Sequence, residues 1–135
     1  MSVPVDDTLC RFVRPADWST RDSRPRPGAF KQPALSVWNI DMLDQRGVAI
    51  DELRIEHLGA CGQAHHTAGD YVTYARQSGL KVQVVWRSED EYVAEPWRQW
   101  HYAHVQVEAT SGPPQFTAPY RGLLATNCRH SVPPD

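Results

Sequence analysis

Two adjacent histidines, His65-His66, follow Cys61 and His57 at short spacing, and these are residue types that ligate zinc. Ligation needs several side chains to converge on one point, yet Gly59 and Gly62 break the helix that would align them. Neighbouring side chains also diverge, and no second pair at ligand spacing lies close by. No metal is expected, and the pair reads as loop histidines flanking a helix N-terminus. His101 and His104 are three residues apart, a spacing that would join them on a helix. Ala103-His104-Val105-Gln106-Val107-Glu108 alternates as a strand does, which puts them on opposite faces. His104 then shares its face with Tyr102, Gln106 and Glu108, while His101 falls at the end of the apolar face.

The densest aromatic and polar run is Glu95-Pro96-Trp97-Arg98-Gln99-Trp100-His101-Tyr102. Such a loop suits stacking a ring and holding an anion. The plainer alternative is that it folds its own tryptophans over the edge of the core. Arg11 lies between Leu9 and Val13 on one strand face. If that face is buried, its guanidinium needs a carboxylate or backbone carbonyls, or else anchors a ligand. No phosphate-binding glycine loop, nucleophile elbow, HExxH, kinase set or EF-hand is present.

These residues must be positioned by short elements. Period-two alternation predicts strands at 8–13, 35–40, 80–87 and 103–108, the last two as an antiparallel pair joined through residues 88–101. Asp51 is placed to cap a helix ending at Leu58 before Gly59. Thr67-Ala68-Gly69-Asp70 matches a capping box, with a helix to Ser78 and a stop at Gly79. Thr117 would cap a third helix over 118–127. Residues 21–28, Arg-Asp-Ser-Arg-Pro-Arg-Pro-Gly, read as an extended loop, because alternating prolines remove donors. Ser111-Gly112-Pro113-Pro114 is a second loop. The fold class that follows is α+β: a small mixed, largely antiparallel sheet with two or three short helices. One domain spanning 1–135 is expected, with 1–7 and 131–135 frayed.

Composition narrows the function classes. With 135 residues, 41% hydrophobic and 22% charged, the chain is long enough to build a core without staples. No apolar run approaches the roughly 20 residues of a membrane helix, and Met1–Asp7 has neither a basic nor an apolar signal region. Cys10, Cys61 and Cys128 are odd in number and widely spaced, which argues against a disulfide scaffold and for free thiols in the cytoplasm. The net charge of −2 conceals a basic stretch: residues 11–31 carry six basic and two acidic side chains, for +4. A patch of that kind fits phosphate or an acidic partner, although the pI near 6.3 lacks the overall charge of a nucleic-acid binder.

Leu9-Cys10-Arg11-Phe12-Val13-Arg14-Pro15, Gly28-Ala29-Phe30-Lys31, Leu35-Ser36-Val37 and the late His104-Val105 together resemble a group of small bacterial proteins. That group opens on Leu-x-Arg-x-x-x-Pro, continues through Ala-Phe-Lys and Leu-Ser-Val, and closes on a His-bearing strand. The resemblance covers about Leu9 to Val107 and implies no mechanism. It does group Arg11, Ser36, Thr67 and His104. Position 14, often His in that pattern, is Arg here, which puts an acid–base role there in doubt.

Two functions are expected from these readings. The first is a small binding or accessory protein acting through its basic segment (Arg14, Arg24, Arg26) and the aromatic loop (Trp97, Arg98, Trp100, His101). Its partner would be a protein, with nucleic acid or a nucleotide as the alternative, and no membrane, cofactor or metal. The second is a small enzyme acting on a nucleotide or another phosphate-bearing substrate. There His104 is the acid–base residue, Arg11 the anion anchor, and Ser36 or Thr67 a positioning hydroxyl.

Overall fold

Alternating Thr8–Val13 forms β1, and its buried Leu9 and Val13 face the main core. The structure, a computed structural model, describes residues 3–31, 34–57, 60–87, 97–111 and 116–135. After β1 come a short hairpin of β2 (Trp18–Ser19) and β3 (Arg24–Pro25), then β4 (Ala34–Asn39), α1 (Ile40–Gln45) and α2 (Ile50–His57). The chain continues with β5 (Gly62–Thr67), α3 (Ala68–Gln77), β6 (Lys81–Trp86), β7 (His104–Ser111), α4 (Ala118–Thr126) and β8 (His130–Val132). Six strands pair in the order β6-β7-β4-β1-β5-β8, antiparallel throughout. The fold is α+β, and β6 pairs with β7 from Val82↔Ala109 to Trp86↔Val105. Among the described residues no helix is long and apolar enough to cross a membrane.

The sheet is covered on both sides. Leu9, Val13, Leu35, Val37, Val105 and Val107 pack on one face with Tyr71 of α3 and Tyr120 and Leu124 of α4. Both tyrosines are fully buried, and Tyr120 Oη donates to the Tyr71 carbonyl at 2.8 Å, so each ring adds buried area while the bond satisfies one polar end. On the other face a smaller cluster joins Trp38, Leu43 of α1, Leu53 of α2, Trp100 and Ala103. Thr67 caps α3 reciprocally: its hydroxyl accepts from the Asp70 N–H and its own N–H donates to Asp70, both at 3.1 Å.

Several elements differ from the sequence reading. Residues 62–67, read as a loop around His65-His66, form an interior strand between β1 and β8. Gly62 serves close approach there, because a Cβ would stand 2.4 Å from the Val132 carbonyl oxygen. Asp51 is not a cap; α2 begins at Ile50, and the Asp51 carboxylate accepts from Gln63 Nε2 at 2.7 Å. α1 was not anticipated; its cap is Asn39, whose side chain accepts from the Met42 N–H. Thr117 is the cap residue of α4, yet its side chain makes no capping bond. Inside the proline–arginine segment, Pro27 opens a 3-10 turn over Pro27–Phe30, since a proline at the first position gives up no bond. Near the ends, the Val3 N–H donates to the Val84 carbonyl, and Val132 pairs with Gln63. Leu58, Gly59, the link 88–96 and Gly112-Pro113-Pro114 lie outside the described residues.

Candidate functional site

β4 and β7 bring Ser36 and His104 together. Trp38↔His104 and Ser36↔Gln106 are opposite one another in the ladder, so all four side chains project from the face opposite the main core. Ser36 Oγ and His104 Nε2 share a hydrogen bond of 2.7 Å. His104 is 6% exposed, and the Trp38 ring lies 5.0 Å from its own. A hydroxyl bonded to an imidazole is the starting geometry for general-base activation of oxygen. Further along the same face Arg87 bonds Glu108 and reaches Gln106 at 3.4 Å, which ties those two side chains together.

Arg11 does not join that row. It projects toward the core face, where Nε donates to the Ala29 carbonyl and Nη1 to the Ser36 carbonyl, both at 3.1 Å. The pairing of β1 with β4 is confined to Leu9↔Asn39 and Cys10↔Trp38. Beyond it the guanidinium takes the Ser36 carbonyl in place of a backbone N–H. Burial lowers its pKa, and the two carbonyl acceptors, rather than a carboxylate, compensate the charge. Thr67 sits at the far end of β1, opposite Thr8, occupied with its cap. Of the four residues grouped by resemblance, Ser36 and His104 meet side chain to side chain, Arg11 touches Ser36 through the backbone, and Thr67 stands apart.

The adjacent histidines diverge, as neighbours on a strand must. His66 is fully buried in the core, where Nε2 donates to the Leu124 carbonyl at 2.7 Å and burial lowers its pKa. Its Nδ1, like the Tyr71 hydroxyl, has no hydrogen-bond partner among the described residues. His65, on the other face, donates from Nε2 to Gln63 Oε1 at 2.8 Å, because the Gln63 amide is oriented by Asp51. Its pKa is lowered to about 4 by burial first and then by His130, whose ring is 5.0 Å away. Among the described residues no three His, Cys, Asp or Glu side chains cluster as metal ligands do.

In the aromatic run, a 3-10 helix spans Trp97–Ala103. Trp100 is 4% exposed and packs with Trp38, Leu43 and Leu53. Its indole is part of the second core, whereas Arg98, Gln99 and His101 beside it are exposed. His101 Nδ1 donates to the Arg98 carbonyl at 2.6 Å, and Arg46 stacks over Tyr102 at 4.1 Å. The Trp97 side chain lies outside what the structure describes, as do Glu95 and Pro96.

The basic segment builds a recess. Trp18↔Pro25 and Ser19↔Arg24 pair as a small hairpin, turned by Ser23 at a left-handed φ of 53°. Trp18 and Pro25 are buried beneath it, and Arg26 Nε donates to the Trp18 carbonyl. Asp22 and Ser19 hold the tip by reciprocal bonds of 3.1 Å. Between this hairpin and the last turn of α4 lies a recess of about 450 Å³, lined by Ser19, Arg21, Asp22, Arg24, Pro25, Arg26, Pro27, Ala125 and Thr126. Among the described residues no carboxylate forms an ion pair with Arg21, Arg24 or Arg26. Arg14, 78% exposed, pairs instead with Asp17 and lies outside the recess. The charge run is visible in the sequence, but the wall from residues 125–126 comes from the other end of the chain, where no local pattern points to it.

Comparison with known protein families, with curated proteins and with solved structures finds no match in any of the three.

Proposed function

We propose that this chain is a small binding or accessory protein that holds an anionic partner on its arginine recess. The observation that carries the reading is the set of three guanidinium groups on one recess with no carboxylate paired to them among the described residues. Guanidinium forks exposed in this way favour phosphate or carboxylate groups, bound bidentately. The three free thiols suit a reducing compartment, which favours a cytoplasmic setting. The test is cross-linked affinity purification from the native host at low ionic strength. The wild-type chain should retain an acidic protein or a phosphate-bearing partner, and an Arg21→Glu, Arg24→Glu variant should lose it. Equal retention by both, or none by either, overturns the reading.

A second reading rests on the 2.7 Å bond between Ser36 and His104. In it the chain is an enzyme on a nucleotide or another phosphate-bearing substrate, with His104 as acid–base residue and Ser36 positioned by it. Arg11 then acts on Ser36 through the backbone rather than on the substrate. Turnover in a panel of nucleotides, abolished by His104→Gln in a protein of unchanged fold, supports it; an inactive wild type sinks it.

A further inference from the structure

The arginine recess offers two unlike kinds of group at once, and this narrows the ligand it suits, given the binding reading above. Its lining includes Arg21, Arg24 and Arg26. It also includes Asp22, fixed by Ser19 at the hairpin tip, and the carboxyl-terminal turn of α4 at Ala125 and Thr126. The carbonyls that end a helix carry partial negative charge. A long polyanion laid across the recess would therefore meet both attraction and repulsion. A compact molecule that joins one strongly anionic group to several hydrogen-bond donors would satisfy both kinds of group.

The anion that best matches several planar forks is a phosphate monoester, which is close to a dianion at neutral pH and accepts bidentate bonds. The Asp22 carboxylate accepts hydrogen bonds, so hydroxyl groups are its natural complement, whereas the Leu123, Leu124 and Ala125 carbonyls are already met by Asn127, His66 and Cys128. The volume of about 450 Å³ lies within the range typical of small-molecule sites, roughly 300–1,000 Å³. The frame is stiff: Pro25 is buried within the hairpin, and Pro27 opens the adjoining 3-10 turn. Arginines displayed from a fixed backbone lose less freedom on binding than those of a loose loop.

We infer that the recess binds the phosphate monoester of a small hydroxyl-bearing molecule, of mononucleotide or sugar-phosphate size. Arg21 and Arg24 hold the phosphate and Asp22 the hydroxyls. Arg26, whose Nε is already bonded to Trp18, adds charge from the side.

The test is isothermal titration of the full chain with five probes: adenosine 5′-monophosphate, glucose 6-phosphate, inorganic phosphate, adenosine and glucose. At least one ester should bind about tenfold more tightly than inorganic phosphate, with neither unphosphorylated compound binding. Which ester prevails distinguishes a nucleotide from a sugar phosphate. Arg24→Gln should weaken that ester about tenfold or more. Asp22→Asn should weaken the ester while leaving inorganic phosphate as it was or tighter. Urea midpoints of both variants establish that the fold is kept, and if Asp22→Asn unfolds the hairpin, Thr126→Val reads the same side of the recess. Inorganic phosphate binding as tightly as both esters overturns the inference, as does an Arg24→Gln variant that binds like wild type. If no ester binds while the host partner is still retained through Arg21 and Arg24, the inference falls and the binding reading stands. If neither occurs, both fall.

Discussion

Arg11 and Arg24 are thirteen positions apart in one basic stretch, and the fold treats them in opposite ways. Arg11 is drawn into the sheet, where its charge is met by the Ala29 and Ser36 carbonyls. Arg24 stands on the hairpin edge with two other arginines, and no carboxylate pairs with it among the described residues. A guanidinium with fixed internal acceptors contributes to stability and has little left to offer a ligand. One without them adds little to stability and keeps its bonding capacity for something outside. The contrast separates an arginine whose bonds are met inside the fold from one proposed to bind a ligand.

The strongest way to break this contrast is Arg11→Ala. It leaves two carbonyls of the interior without donors and opens a void, so a loss of about 2–4 kcal/mol is expected in urea denaturation. A loss within about 0.5 kcal/mol would mean that the Arg11 bonds contribute little, and the distinction from Arg24 would dissolve. Gly62→Ala probes the same half of the molecule from the backbone side. A methyl group there collides with the Val132 carbonyl and Pro134, so β8 must shift, at a cost of about 1–3 kcal/mol. An alanine variant as stable as wild type would show that β8 is only loosely tied to the sheet.

The pH dependence of stability sharpens the picture of that interior. His66 has its pKa lowered by burial, and its Nδ1 has no acceptor within reach to receive a second N–H among the described residues. His65 is lowered to about 4, again chiefly by burial. Below the ordinary value of about 6.5 the unfolded chain takes up these protons and the folded chain does not. Stability is therefore fully present above that value and falls as pH drops from about 6.5 toward 4. Asp70, held low first by its bond to Arg129, adds a further loss in the same direction at still lower pH. Urea midpoints at pH 8, 6 and 5 measure the slope, which should be shallower in His66→Gln. A flat profile would mean that His66 is protonated at little cost.

Much of the frame was legible in the sequence because its signals are local. Thr8–Val13 alternates and is β1 to the residue, and Thr67 through Asp70 form the capping box their types suggest. β5 was not legible. Gly-Gln-Ala-His-His-Thr has little of the β-branched and aromatic content that marks strands, and it is a strand because β1 and β8 pair with it from either side. The same limit applies to the site. Alternation placed His104 on the polar face of its strand, but its meeting with Ser36 depends on the register of β4 against β7, sixty-eight positions apart in the chain. Aromatic content alone did not reveal that Trp100 belongs to the second core; that follows from Leu43 and Leu53 arriving on α1 and α2.

The smallest expected effect on stability is also the most discriminating. Arg24→Gln removes an exposed charge that has no ion-pair partner among the described residues. Its urea midpoint should therefore match wild type within about 0.5 kcal/mol. Arg26→Gln should do slightly worse, because the Arg26 Nε bond to the Trp18 carbonyl goes with it. If Arg24→Gln instead destabilises the chain as Arg11→Ala does, its guanidinium is tied into the fold, through the carbonyl end of α4 beside it. The recess would then be a helix terminus capped by arginine rather than a place for a ligand. Unchanged stability together with lost binding is the combination that a binding arginine requires and a structural one forbids.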